Sequence, residues 1–134
     1  AGVIDAAARL FHSAAGDEPL RLYLLLVAAS VGLSAFIDNI PYVAAMLPVV
    51  QGVAALMNGG AGIEPELFYF GLLTGATLGG NLTPIGASAN IAAIGILRKN
   101  GECVRTSDFL RIGVPFTLAA VLVGAGSLWL FWGV

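Results

Sequence analysis

Between Arg21 and Glu64 the chain carries one charged residue, Asp38. It stands in SAFIDNIPYVAAMLP, residues 34–48, followed at once by Asn39 and, three positions on, by Pro41. A carboxylate in such apolar surroundings can exchange a proton, bind a cation, or cap a helix. An ionisable group at membrane depth is a functional-site hypothesis by default. The structural alternative is an Asp that only caps the next helix, a task Asn39 or a serine performs without a charge. A second stretch, GATLGGNLTPIGASAN at residues 75–90, gathers Gly79, Gly80, Asn81, Thr83 and Pro84. Gly and Pro are poor helix residues, and Asn and Thr bond their own backbone. Both stretches therefore read as breaks in helices. N-termini near Ile40 and Ala87 would offer unpaired N–H groups to anions or hydroxyl-rich solutes. Carbonyls ending the preceding arms could hold a cation.

The rest of the chain sets the medium in which this chemistry would work. Of 134 residues, 58% are hydrophobic and 10% charged, against roughly 25% charged in a soluble domain. The mean hydropathy is +0.92. This composition indicates an integral membrane protein. A net charge of -2 gives no reason to expect nucleic acid as a partner. The single cysteine, Cys103, rules out an intrachain disulfide and a cysteine-built metal site. The opening AGVID has no initiator methionine or signal-peptide pattern, as expected of a piece of a larger protein or assembly.

Charges divide the chain into uncharged runs: 22–37, 39–63, 67–97 and 112–134. A spanning helix needs about 20 apolar residues to cross a core of ~30 Å. Only the last run fits simply, and the final transmembrane helix is expected over 109–133. Trp129 and Trp132 there suit an interfacial aromatic belt or packing between helices. The first run is short and ends in Asp38 and Asn39, good N-cap residues, with Pro41 tolerated in a first helical turn. Two arms, 22–37 and 40–57, joined by a polar tip predict a re-entrant hairpin within 20–58. Two ordinary spanning helices are the alternative. NGGAG, 58–62, ends the second arm. The third run would be ~46 Å as one helix. It predicts a broken transmembrane helix over 66–98, with helix 66–79, an unwound piece 80–86 and helix 87–98. The alternative is a glycine–proline kink made for packing. Non-helical backbone at membrane depth must be buried in protein or line a polar cavity. Residues 1–19 place Val3, Ile4, Ala7, Leu10, Phe11 and Ala14 at helical spacing opposite Asp5, Arg9 and Ser13. This predicts an amphipathic helix on the membrane surface.

Arg98, Lys99, Arg105 and Arg111 cluster in RKNGECVRTSDFLR, residues 98–111. The positive-inside rule puts that loop in the cytoplasm, with the hairpin mouth and C-terminus outside. Arg9 and Arg21 then fall on the disfavoured side, where a surface helix could hold lipid headgroups.

SAFIDNIPYVAAMLPVV followed by GATLGGNLTPIGASANIAAIGIL resembles the ion transporter superfamily of arsenite permeases, NhaD-type sodium/proton antiporters and the melanosomal P protein. The likeness covers about residues 20–134. It implies an all-α membrane fold of two inverted halves, each with a re-entrant hairpin and a broken helix, this chain matching the C-terminal half. It also places Asp38, Asn39, Gly80, Asn81, Thr83, Ser88 and Asn90 in the substrate and ion site. More distant dicarboxylate/sodium symporters carry Ser-Asn-Thr at the hairpin tip, where this chain has Asp-Asn-Ile-Pro.

The expected function is ion-coupled secondary transport by alternating access, of arsenite or of sodium exchanged for protons, in the cell membrane. Asp38 would carry the proton or bind the cation, with Asn39, Asn81, Ser88 and Asn90 as neutral ligands. Asp38, Asn39 and Asn81 form the candidate sodium site. No cofactor is expected beyond a sodium ion or a proton. The expected partners are membrane lipid and either an N-terminal repeat half or a second copy, with a homodimer favoured. The rivals are a dicarboxylate-type symporter, a membrane subunit without transport of its own, and a membrane hydrolase. The hydrolase is disfavoured because an aspartyl mechanism needs two carboxylates in the bilayer and His12 lies in the wrong segment for a serine mechanism.

Overall fold

A computed structural model describes residues 2–16, 18–57 and 65–133. These form helices α1 (Gly2–Ala15), α2 (Pro19–Ser34), α3 (Asn39–Met57), α4 (Glu66–Gly79), α5 (Ser88–Lys99) and α6 (Thr106–Trp132), with no strand among the described residues. The NGGAG segment expected to end the second arm lies outside them.

Helix α2 starts at Pro19, where a missing N–H is harmless because first-turn donors have no intrahelical partner. It stops at Ser34, and residues 35–38 form the turn into α3. There the Asp38 carbonyl accepts the first helical bond of α3 from the Tyr42 N–H at 3.2 Å. The chain breaks again over 80–87, between α4 and α5. Each break is closed by tight local bonds: Ile37 N–H to Leu33 O at 3.0 Å in the first, Leu82 N–H to Gly79 O at 2.9 Å in the second.

The two breaks lie side by side because α2 and α4 run in close contact. Gly71, Gly75 and Gly79 repeat every fourth residue, so they share one face of α4. A Cβ on Gly71 would lie 2.7 Å from the Tyr23 ring, and one on Gly75 would lie 2.8 Å from the Val27 carbonyl oxygen. One on Gly79 would lie 2.6 Å from the Val31 carbonyl oxygen. Small residues at this spacing let helices in a membrane approach backbone to backbone, where dispersion replaces the missing hydrophobic drive. Around this seam Leu22, Tyr23, Leu26, Leu67, Phe68 and Leu72 are fully or almost fully buried, with Val50 and Val53 of α3.

Helix α6 has 27 residues, about 40 Å at helical rise, and is the one described helix both long and apolar enough to cross a membrane. It runs antiparallel to α4: Gly113 lies against the Asn81 carbonyl and Gly124 against Thr74. Its far end returns to the start of α2. The buried Tyr23 hydroxyl donates to the Ala125 carbonyl at 2.9 Å, and the Tyr23 and Trp129 rings are 5.7 Å apart. Trp132 sits 5.2 Å from the Phe70 ring. Trp129 therefore packs between helices, whereas Trp132 touches Phe70 and stays exposed. Leu118, Leu122, Val123, Leu130 and Phe131 remain exposed on α6, as lipid-facing residues would be.

The apolar face expected on α1 is divided. Ala7 and Phe11 pack on the core, whereas Val3 and Leu10 point away from it. The buried residues are Ala8 and Ala15, and Ala8 sits over Gly52 of α3. A small residue facing a glycine lets α1 lie along the α2–α3 hairpin, so the hairpin takes part of the face assigned to lipid.

Candidate functional site

The site is the meeting of the 35–38 turn with the 80–87 segment. Four contacts join these two segments and the helix ends beside them. The Thr83 hydroxyl donates to the Ala35 carbonyl. The Ser34 hydroxyl reaches the Ala76 carbonyl at 2.6 Å, in the last turn of α4. Oδ1 of Asn39 faces Gly80 so closely that a Cβ there would sit 2.5 Å from it. The Asp38 carboxylate accepts the Ser88 N–H at 3.2 Å, through Oδ2.

Each contact follows from a local rule. Ala35 lies past the last turn of α2, so its carbonyl has no helical donor and takes a side-chain hydroxyl instead. Ser88 is the first residue of α5, and its N–H is among the unpaired donors of that end. A carboxylate at a helix N-terminus is favourably placed against the helix dipole. The Asp38 side chain thus reaches across to the other break, while its backbone carbonyl accepts the first bond of its own helix α3. Gly86 is required by crowding: a Cβ would lie 2.7 Å from the Gly80 carbonyl oxygen and 2.8 Å from that of Ala35.

Asn90 holds the second break in shape. Its Nδ2 donates to the Gly80 carbonyl at 2.9 Å and to the Thr83 carbonyl at 3.1 Å. One amide thereby occupies two carbonyls of the unwound piece, which makes Asn90 a bracket for the loop.

Six of the seven candidate residues, Asp38, Asn39, Gly80, Thr83, Ser88 and Asn90, gather at this junction. Asn81 is placed differently. It lines a groove of about 380 Å³ with Asp108, Phe109, Ile112, Gly113 and Phe116, on the α6 side of the break. Asn39 lines another groove, of about 470 Å³, with Ile40, Val43, Ala44, Leu73 and Thr77 between α3 and α4. The two candidate sodium ligands Asn39 and Asn81 thus open onto different sides of the junction.

The residue missing from the sequence reading is Ser34. It is fully buried and touches both Ala76 and, at 3.0 Å, Oδ1 of Asn39. One turn earlier Ser30 is fully buried too and accepts the Tyr42 hydroxyl at 3.1 Å. Two serines four apart in the uncharged run after Arg21 were the available signal.

Electrostatically the junction holds one carboxylate. Residues 22–97 contain no Lys, Arg or His, so no basic side chain of that stretch balances it. Its donors are N–H groups and hydroxyls, and its acceptors are Asp38, amide oxygens and backbone carbonyls. Such a set suits a cation or a small polar solute better than a bare polyanion.

Residues 1–133 match the profile of the family described as citrate transporters. An uncharacterised transporter of Mycobacterium tuberculosis is 37% identical over 129 residues, covering 96% of this chain and 30% of that protein. An uncharacterised transporter of Synechocystis is 33% identical over 136 residues, 92% of this chain and 30% of that protein. The human P protein is 38% identical over 101 residues, 75% of this chain and 12% of that protein, which confirms the likeness read from the two motifs. No solved structure shows significant similarity. The chain spans about a third or less of these relatives' length. It is an integral membrane protein and belongs to the citrate transporter (CitMHS) family.

Proposed function

We propose that this chain supplies one half of the substrate and ion site of an ion-coupled secondary active transporter working by alternating access. The observation that carries the reading is the Asp38 carboxylate on the first N–H of α5, where two helix breaks meet. Broken helices that bring their ends together are how inverted-repeat transporters make midplane sites. The α2–α3 hairpin is then re-entrant. Its arms are about 24 and 28 Å long, and its tip lies beside the second break, which supports that reading. An N-terminal repeat half or a second copy covers the open side of the site. Asp38 carries the coupling proton or holds a cation such as sodium, with Asn39 as a neutral ligand. The substrate is a small inorganic ion or solute, either arsenite for efflux or sodium exchanged for protons.

The family name supports a second reading, transport of citrate or a related carboxylate. With Asp38 at the junction and no basic residue from 22 to 97, a bare trianion would be repelled. A carboxylate substrate would enter with cations that neutralise it.

Uptake into vesicles by the intact protein decides between these. Arsenite, sodium and citrate are compared under imposed proton and sodium gradients, with wild type and Asp38→Asn in parallel. The substitution keeps an acceptor for the Ser88 N–H and removes the charge. The mutant should reach the membrane in wild-type amounts and lose gradient-driven uptake. Wild-type uptake and pH dependence in Asp38→Asn would overturn the role given to this residue.

A further inference from the structure

We infer that Ser34 is a positioning residue for cation binding at Asn39, and that it passes the state of that amide to α4. The inference rests on the cation reading of the junction above. Ser34 is fully buried at the last position of α2, with two acceptors in reach. The Ala76 carbonyl oxygen lies at 2.6 Å and Oδ1 of Asn39 at 3.0 Å. A hydroxyl has one proton, so it cannot serve both fully. The shorter contact takes the larger share, and Asn39 is held by what remains.

This arrangement responds to a charge. Asn39 is partly buried and lines the groove between α3 and α4. A cation on Oδ1 repels the Ser34 proton and drives it further onto the Ala76 carbonyl. The bond between the end of α2 and the last turn of α4 then strengthens. No covalent bond forms or breaks, and no proton leaves Ser34. The tip is thereby fastened to α4 more firmly when loaded than when empty. Gly80 keeps the far side of the amide clear, since a Cβ there would meet Oδ1 at 2.5 Å. The amide is therefore bounded by Ser34 on one side and by bare backbone on the other.

Removing the hydroxyl frees the amide to turn and leaves the Ala76 carbonyl without this partner. The test is the sodium dependence of thermal unfolding of the purified full-length protein, with choline chloride holding ionic strength constant. A ligand that binds the folded state raises its stability with concentration, so the curve gives an apparent affinity without any substrate. Ser34→Ala should need about five- to tenfold more sodium for the same rise, the loss expected from one hydrogen bond. Ser34→Cys, which keeps a weaker donor, should fall between it and wild type, and serves if Ser34→Ala does not fold. Ser30→Ala is the control. It removes an equally buried hydroxyl, bonded to Tyr42 and not to the junction, and should lower the melting temperature while leaving the sodium dependence unchanged. Equal sodium dependence in wild type and Ser34→Ala overturns the inference and leaves the cation site standing. Tighter sodium binding in Ser34→Ala also overturns it, because the hydroxyl would then be competing for Oδ1. If sodium stabilises neither wild type nor Asp38→Asn, the sodium reading of the junction falls, and this inference with it.

Discussion

Replacing Gly79 by alanine should separate the two breaks, and the size of the effect can be worked out from the seam. A Cβ at Gly79 would meet the Val31 carbonyl oxygen at 2.6 Å and the Val31 Cα at 2.7 Å. Both are backbone atoms of α2, so no rotamer change relieves them. Reaching an ordinary contact of 3.4 Å requires α2 and α4 to part locally by about 0.8 Å. Overpacking of this kind typically costs about 1–3 kcal/mol. For a chain of this size roughly 4 °C accompanies each kcal/mol, so the midpoint should drop by about 4–12 °C. The same displacement would stretch the Ser34–Ala76 contact from 2.6 Å to about 3.4 Å, beyond the usual range of an O–H···O bond. Sodium stabilisation should therefore weaken along with the fold. The assay is thermal unfolding in detergent, followed by tryptophan fluorescence. Gly95→Ala is the matched control: its Cβ meets nothing within 4 Å, and alanine is favoured over glycine in a helix by up to about 1 kcal/mol. It should melt at or above wild type. If Gly79→Ala and Gly95→Ala melt together, the backbone seam between α2 and α4 is wrong.

Tyr23→Phe removes the donor to the Ala125 carbonyl and leaves the ring beside Trp129. It should cost about 1 kcal/mol in the same assay with little change in the fluorescence spectrum of the folded protein. Thr83→Val keeps the shape and loses the bond to Ala35. It should lower gradient-driven transport more than it lowers the melting temperature, since it removes one of the ties between the breaks without opening a cavity. The exposed thiol of Cys103 should react with an impermeant maleimide only after the membrane is opened. Ready labelling from outside intact cells would reverse the topology drawn from the basic loop.

The breaks were legible because their signals are local. Asp-Asn-x-Pro and Gly-Gly-Asn-x-Thr-Pro each place capping or helix-breaking residues within a few positions. The end of the first arm was not legible. Ala35, Phe36 and Ile37 are apolar and carry no stop signal, so the arm read as running to 37, whereas α2 stops at Ser34. What turns the chain there comes from 48 residues away, the Thr83 hydroxyl on the Ala35 carbonyl. The direction of Asn81 was hidden for a similar reason. A loop amide next to two glycines points wherever its neighbours leave room, and here α6 leaves a groove. The glycine repeat at 71, 75 and 79 was visible in the sequence, but its partner helix was not. On α1 the larger side chains suggested the buried face, whereas close approach to Gly52 selected the small ones.

Helix α5 makes its side-chain hydrogen bonds to the junction at one end, and its other end continues through residues 100–105 into α6. Its first residues make the bonds to Asp38, Gly80 and Thr83, and none of its twelve residues is buried. Mechanically it is a rod hinged at Ser88, about 18 Å long. A tilt of about 10° at the hinge carries the Arg98–Lys99 end by about 3 Å at that length. The Asp38 carboxylate is one of three contacts at the hinge, beside the two bonds from Asn90. If Asp38 is the coupling residue proposed above, an event that weakens its hold on the Ser88 N–H would loosen one of these contacts and be felt, over this length, at the basic loop. Spectroscopic labels on that loop would report the state of the site from a distance.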